Sequence, residues 1–521
     1  MQSKQAKIKE VATVVSKVLS CMIMGLEAVP VHVELDLTGG LPGLTIVGMG
    51  DTAIRESRER VLAALRNSGY ELPPSRVTVS LAPADLKKEG SRFDLPIALG
   101  ILAALKAFPP SALDGYLVMG ELSLSGDVVG REAAFPAALL ARKSGISGVI
   151  LPREMASEAS LVKGCKPLPT THLSEITEYL RGRRELEAVL PLPVRKPDAV
   201  LDLREVSGQE MAKRALTIAA AGGHNILFSG PPGSGKTMLA RRMPGLLPPL
   251  TIDESLEVTA IHSIAGQLQP GHRVITTPTF RAPHHTISHV GLAGGGTNPR
   301  PGEVTLAHHG VLFLDEMSEF KRSTLETLRQ PMEDGRIVVA RAARSVTFPA
   351  KFLLIGTTNP CPCGYLGHDR RPCTCPPSAV SRYRRRISGP LLDRIDLVVQ
   401  VRALGPEMIT GVGSGEPTAS VRKAVLAGRH IQNNRIGAGF PSLNANLGPD
   451  WIRELCPMGA AQQKIMEGAV KNLGLTARGY HRVLRVARTI ADLEEEEYPE
   501  AEHLAEALQY RPVFDGPITN F

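Results

Sequence analysis

The rhythm of hydrophobic and polar positions changes near residue 195. Before it, VHVELDL (31–37), LTIVG (44–48) and RVTVSLA (76–82) alternate with the two-residue period of half-buried strands, while RESRERVLAALRNSG (55–69) and DLPIALGILAALKAF (94–108) carry helical spacing. That pattern predicts an α+β domain. After it, HNILFSG, HGVLFLDE, FLLIGTTN and DLVVQVRAL are continuous apolar runs separated by helical patterns, as in a parallel sheet covered on both faces. LPLPVRKPDAVLDL (190–203) reads as the linker between the two regions, and the Gly-rich ALGPEMITGVGSGEPTAS (403–420) as a second, flexible connection. Beyond it the chain is expected to be helical to Phe521. The predicted organisation is multidomain α/β: an α+β domain over 1–194, a parallel-sheet core over 195–402 and a helical domain over 403–521.

One strand of the core carries chemistry at its end. NILFSG runs into GPPGSGKT (230–237) and then a helical MLARRM, the G-x-x-x-x-G-K-[ST] pattern in its strand–loop–helix context. Gly230, Pro231, Pro232, Gly233, Ser234, Gly235, Lys236 and Thr237 form the candidate nucleotide loop, in which the glycines let backbone N–H groups curl around phosphates. Lys236 is expected to reach the β- and γ-phosphates, and Thr237 the magnesium ion. VLFLDE (311–316) ends in two acids: Asp315 to hold Mg2+ through water and Glu316 to polarise the attacking water. Asn359, at the end of FLLIGTTN, stands where it could orient the same water. These residues predict ATP hydrolysis.

Composition narrows the setting. At 521 residues and 43% hydrophobic, the chain can bury more than one core, and roughly 150 residues per domain suggests about three domains. The net charge of +8 favours a polyanionic partner, nucleic acid ahead of anionic membrane. With 4% aromatic residues an extended base-stacking platform is not expected, so contacts to nucleic acid should run mainly through backbone charge. Ser16 and Lys17 interrupt the N-terminal apolar stretch where a signal sequence needs continuity, and no run of about 18 apolar residues occurs. A cytoplasmic protein without a membrane partner is expected.

Cys21, Cys165 and Cys456 are scattered and read as buried free thiols. The other four cysteines crowd into TNPCPCGYLGHDRRPCTC (358–375). Cys361, Cys363, Cys373 and Cys375 suit tetrahedral zinc, although Cys-x-Cys departs from the commoner two-residue spacing; a packed or redox-active thiol cluster and disulfides stay open. The following SRYRRRI (381–387) adds four arginines and Tyr383, read either as a DNA contact or as a salt-bridged helix.

With these motifs in place, FRAPHHTIS (280–288), RPGEVTLAHHGVLFLDE (300–316), TNPCPCGYLGH (358–368) and SGPLLDRIDL (388–397) make the chain resemble AAA+ ATPases of the magnesium-chelatase-like group. Within that group it is most similar to the bacterial ComM (YifB) family, from about Val14 onward. The resemblance implies a homo-hexameric ring whose ATP sites are completed by the neighbouring subunit. It implies that Arg394 is similar to the arginine finger of chelatase motors and minichromosome-maintenance helicases, a group worth roughly 10³ to 10⁵ in rate. The ordinary reading of Arg394 is a salt bridge to Asp393 or Asp396. Arg478, in TARGYHRVLRVARTIADL (476–493), matches a sensor arginine on a helical lid, with Arg482 as the alternative and several arginines of that helix facing solvent.

The resemblance also assigns two insertions. TFRAPHHTISHVGLAGGG would project toward the pore, with His284, His285 and His289 engaged in packing or loop hydrogen bonds and not in metal binding. GRIVVARAARSVTF (335–348) reads as a hairpin whose tip carries Arg341 and Arg344, suited to tracking a phosphate backbone or forming a solvated turn. The first domain resembles a Lon-protease-like domain through LAPADLKKEGSRFDLPIALG (81–100). Arg92 takes the place of the nucleophilic serine and Phe135 that of the lysine, which implies a DNA-binding or assembly platform. Ser91, one residue away, keeps a peptidase as the remote alternative.

The function implied is an ATP-dependent hexameric DNA translocase or helicase promoting branch migration during integration of DNA in natural transformation and homologous recombination. ATP, Mg2+ and a structural Zn2+ would be its cofactors, and single-stranded, joint or branched DNA its partner. An AAA+ remodeller of protein complexes, of the magnesium-chelatase type, is the alternative.

Overall fold

The computed structural model describes residues 14–511 apart from 42, 49–51, 73, 85–87, 89, 131–132, 187–200, 269–273, 297–298, 342–343, 369–370, 404–414, 436–438 and 440. Most of both expected connections, 190–200 and 404–414, therefore lies outside the described residues. The chain divides into two compact units, Met1–Lys196 with Thr259–Val274, and Pro197–Val258 with Ile275–Phe521. Among the described residues no helix is long and apolar enough to cross a membrane.

In the first unit β1 (Val14–Met24) and β2 (Glu27–Gly39) form a long antiparallel hairpin. With β3 (Gly43–Val47), β4 (Ser75–Ala82), β5 (Tyr116–Val118), β8 (Gly148–Pro152) and β9 (Lys166–Thr170) they make a mixed seven-stranded sheet in the order β3-β4-β2-β1-β5-β8-β9. β6 (Glu121–Leu122) and β7 (Val128–Val129) pair separately. Alternation in β4 is strict, with Val77, Val79 and Leu81 buried, as its sequence predicts. The helix Asp94–Ala104 is buried along its whole length and packs on the β1–β2 hairpin, where the Ser16 hydroxyl donates to the Gly100 carbonyl at 2.8 Å. The segment Thr259–Val274 joins this unit, and within it Ser263 donates to the Glu158 carboxylate.

The second unit is built on a parallel five-stranded sheet in the order β11-β14-β17-β10-β18. Its strands are β10 (Ile226–Ser229), β11 (Phe280–Arg281), β14 (Val311–Leu314), β17 (Leu353–Thr358) and β18 (Leu397–Gln400). A two-residue pair, β12 (Gly294–Gly295) with β13 (Arg300–Pro301), and a hairpin, β15 (Arg336–Arg341) with β16 (Arg344–Pro349), complete the strands. Every residue of β14 is buried, as for a central parallel strand with both faces covered. β17 lies between β10 and β14, so the end of β17 separates the ends of the other two.

The C-terminal helices do not form a detached body. Leu484 and Ile490 of Ala477–Leu493, Val425 of Thr418–Asn434 and Leu504 of Ala501–Gln509 share one core with Phe228 and Val399 of the sheet. The expectation that several arginines of 476–493 face solvent is corrected in part: Arg478 is exposed. Arg488 is fully buried against Asp492 at 2.9 Å, and Arg482 is buried beside Asp396 at 3.6 Å. Each gains a carboxylate that makes its burial tolerable.

Candidate functional site

Ligands of open parallel sheets bind beyond the carboxyl ends of the strands, and in the second unit that edge holds the phosphate loop. The loop leaves β10 after Ser229 and enters the helix Lys236–Ala240 at Gly235, whose φ of +92° suits glycine. The Lys236 ammonium lies against its own loop, donating to the carbonyls of Gly230 at 2.7 Å and Pro231 at 2.8 Å. It also donates to Asn359 Oδ1 at 3.3 Å. Burial pushes this ammonium down to about 8, and the charges of Asp315 and Glu316 only partly oppose the shift. Ser234 Oγ is buried with no partner among the described residues, an unsatisfied donor within the cradle.

The two acids follow β14 directly. Asp315 accepts from Thr237 Oγ1 at 3.1 Å and from Thr357 Oγ1 at 2.6 Å, so loop, strand end and neighbouring strand converge on one carboxylate. These hard oxygen donors fit Mg2+, which keeps most of its waters and takes one or two protein ligands. Glu316 adopts a left-handed backbone conformation at φ +50°, and its N–H donates to Thr357 Oγ1 at 2.9 Å. That turn leaves the Glu316 side chain exposed at the sheet edge. Asn359 extends from β17, between the strands of the loop and of Asp315. Thus Lys236, Thr237, Asp315 and Asn359 form one connected cluster, with Glu316 at its margin.

Arg394 and Arg478 lie elsewhere. The Arg394 carbonyl accepts from Asn225 Nδ2 at 3.1 Å, which puts it at the amino end of β10, opposite the phosphate loop. Four strand residues at about 3.3 Å each separate the two ends by roughly 13 Å, more than an arginine side chain spans. Arg394 donates to the Glu333 carboxylate and, at 2.7 Å, to the Pro390 carbonyl; neither Asp393 nor Asp396 is its partner. Arg478 approaches the same Glu333 at 3.9 Å. Both line a cavity of about 1240 Å³ with Arg429, Arg482 and Arg485, and no residue of 230–237 or 315–316 contributes to its wall. Arg482, tied to Asp396, is the less available of the two sensor alternatives.

The four cysteines are brought together. The sulfurs of Cys361 and Cys363 are 3.3 Å apart, those of Cys361 and Cys373 3.5 Å, and those of Cys363 and Cys373 3.6 Å. All four lie within 4.8 Å of one another. Tetrahedral Zn–S bonds of about 2.3 Å would set sulfurs about 3.8 Å apart, whereas a disulfide needs about 2.05 Å, so the spacing fits a shared ion. Backbone N–H donation from Tyr365 leads the effects that pull Cys363 down to about 6, whereas Cys361, Cys373 and Cys375 are raised, so one thiol of the cluster is favoured as the thiolate. Cys21, Cys165 and Cys456 are free and buried.

A second group, Glu257 with His308 and His309, also has metal-like spacing. Lys351 N donates to His308 Nδ1 at 3.0 Å, which leaves the ring proton on Nε2, facing Glu257 at 3.1 Å. His308 is a hydrogen-bond donor there. His284, His285 and His289 form no such group: His284 contacts Thr286 at 2.9 Å, and His285 packs edge-on to Phe320.

SRYRRRI is also corrected in part. Tyr383 is buried and unavailable for stacking, Arg386 pairs with Glu319 at 2.9 Å and Arg384 donates to the Pro360 carbonyl at 3.4 Å, while Arg382 and Arg385 remain on the surface. In the first unit the Ser91 hydroxyl donates to the Glu121 carboxylate, the buried Lys88 donates to the Pro83 carbonyl, and Phe135 is fully buried. The hairpin backbone pairs Arg341 with Arg344 at its turn end, as the reading of the tip expects.

Three further residues complete these sites and carry no linear signal. Gln209 Nε2 bridges the carbonyls of Ser234 at 3.2 Å and Arg402 at 2.7 Å, tying the phosphate loop to the end of β18. Thr357 links Asp315 to Glu316, and Glu333 gathers the two arginines.

Comparison with known proteins adds kinship to geometry. Residues 202–409 match the family described as magnesium chelatase, subunit ChlI; residues 33–155 match subunit ChlI of Mg-chelatase; and residues 415–511 match the ChlI C-terminal family. The chain is 44% identical over 497 residues to the competence protein ComM of Haemophilus influenzae, covering 94% of this chain and 96% of that one. It is 43% identical over 492 residues to the protein YifB of Escherichia coli, with the same coverage. The 67 kDa magnesium-chelatase subunit of Chlorobaculum parvum is 29% identical over 162 residues, 30% of this chain and 23% of its own.

Proposed function

Since the chain belongs to the ComM/YifB family of magnesium-chelatase-like proteins, we propose that it is an ATP-hydrolysing ring motor that moves on DNA. One observation carries this reading: half of an ATP site stands at one sheet edge and two arginines stand at the other. Lys236, Thr237 and Asp315 would hold the phosphates and Mg2+, Glu316 would take the proton of the attacking water, and Asn359 would align that water. Arg394 and Arg478, out of reach of their own phosphate loop, would complete the site of the next subunit in a head-to-tail homo-hexamer. The pairing with Glu333 then keeps them extended until a neighbour's phosphates replace that carboxylate. Glu333 is half exposed while Arg394 is largely buried, so the carboxylate is the side of the pair open to exchange.

The net charge of +8 and the β15–β16 hairpin support DNA as the track. Branch migration of joint molecules during DNA integration, in the cytoplasm, is the cellular role we infer, in line with the name competence protein carried by the Haemophilus relative. The first unit is read as a Lon-protease-like platform for DNA or assembly, and the C-terminal helices as the lid. The cysteine cluster is read as a structural zinc knuckle; zinc in stoichiometric amount, lost in a Cys373→Ser, Cys375→Ser variant, is the expected analysis of purified protein. The test of the whole reading is ATP hydrolysis with no DNA, single strands, duplex and a four-way junction. DNA stimulation abolished by Lys236→Ala and by Arg394→Ala is the result expected. Hydrolysis indifferent to every DNA form would instead favour a remodeller of protein complexes, the second reading that the chelatase-subunit matches support.

A further inference from the structure

We propose that the four-cysteine knuckle braces the phosphate loop, so that metal occupancy of Cys361, Cys363, Cys373 and Cys375 sets nucleotide affinity. The proposal rests on the zinc reading above and adds to it a contact with the ATP site of the same chain. Gly364, directly after Cys363, has φ +84° and lies against the ring of Pro232, the third residue of the phosphate loop. A Cβ at Gly364 would stand 2.6 Å from Pro232 Cδ and 2.9 Å from its Cγ, so the knuckle backbone and the loop are in full contact there. The same Cβ would come within 4.0 Å of Asn359 Cγ.

Both touched residues lead to the Lys236 ammonium. Asn359 Oδ1 is one of its acceptors, and the carbonyl of Pro231, next to Pro232, is another. The turn is closed within the knuckle by Gly364 N donating to the Cys361 carbonyl at 2.9 Å, and Cys361 is fully buried. Four sulfurs on one ion would cross-link 361–375 and remove the freedom of that segment. Pro232 then faces a fixed wall. Without the ion the wall loosens, the loop samples conformations that do not fit phosphates, and binding must pay for ordering it. The ion itself supplies only the cross-link.

The experiment measures a fluorescent ATP analogue binding to the full chain, together with zinc content and thermal unfolding. Cys373→Ser, Cys375→Ser is expected to lose zinc and weaken nucleotide binding about tenfold or more, the usual range for removing a supporting partner. Gly364→Ala is expected to weaken it similarly with zinc retained, because the strained backbone and the added methyl push on Pro232. In a Pro232→Ala background the loss of zinc should matter much less, since coupled residues are not additive. Zinc-free variant protein that unfolds normally yet binds nucleotide like the parent would overturn the brace and leave the zinc reading intact. Parent protein without zinc would overturn the zinc reading, and unchanged binding by Gly364→Ala would then remove the contact as well.

Discussion

Lys236 is the residue whose environment makes the sharpest prediction. Its ammonium is held down to about 8 by burial, while bound phosphates favour the charged form and raise it. The nucleotide-bound value therefore lies above the free one. Affinity for ATP should be at its full value below pH 8 and should fall above it, by up to about tenfold per pH unit, because binding must then take up a proton. A titration of nucleotide affinity from neutral to alkaline pH checks the sign; affinity rising with pH would contradict it. Glu316→Gln should bind nucleotide normally and lose hydrolysis by at least about 10²-fold, as for removal of a general base, measured in single-turnover reactions. Much of this was legible because the phosphate loop is contiguous in sequence and both acids end one apolar run. Gln209, Thr357 and Glu333 were not, since each acquires its role from a contact more than 20 residues away.

At the scale of elements, the helix Ala477–Leu493 shows how charge can be part of a core. Asp492 is fully buried and receives Arg488, Arg435 and Asn444, the last at 2.7 Å. Asp492→Ala would leave two arginines without a counter-charge and should cost about 3–5 kcal/mol, read as a fall in thermal or denaturant stability. Periodicity counted several arginines of 476–493 as solvent-facing because it registers polarity and not pairing. β1 escaped detection for a related reason: Ser16 and Ser20 occupy inward positions beside Val18 and Met22, so its buried face alternates without looking apolar. β2, β4, β10, β14 and β17, whose inward residues are mainly apolar, were readable. The β15–β16 hairpin was legible as an element, whereas its contact with DNA is a proposal. Replacing Arg341 and Arg344 by alanine should lower the dependence of log affinity on log salt by about 1.4 for single strands, at about 0.7 per phosphate contact.

At the scale of the whole molecule, the first long segment of unit 1 ends at Lys196. The return of Thr259–Val274 to that unit was hidden, because the chain crosses over inside the helix Ile252–Ile264, where no proline, glycine or charge run marks a boundary. Assembly is the property the sequence carried least directly. The proposed head-to-tail ring rests on where β18 and β10 place their ends: the loop 230–237 at one edge, Arg394 at the other. Equal mixing of Lys236→Ala and Arg394→Ala subunits, with junction DNA present, tests that division most directly. Each variant alone should be inactive, and in the mixture about a quarter of head-to-tail interfaces should pair an intact loop with an intact arginine and recover hydrolysis accordingly. Mixed subunits as inactive as either parent, or an Arg394→Ala protein that hydrolyses ATP normally on its own, would contradict a site shared between neighbours.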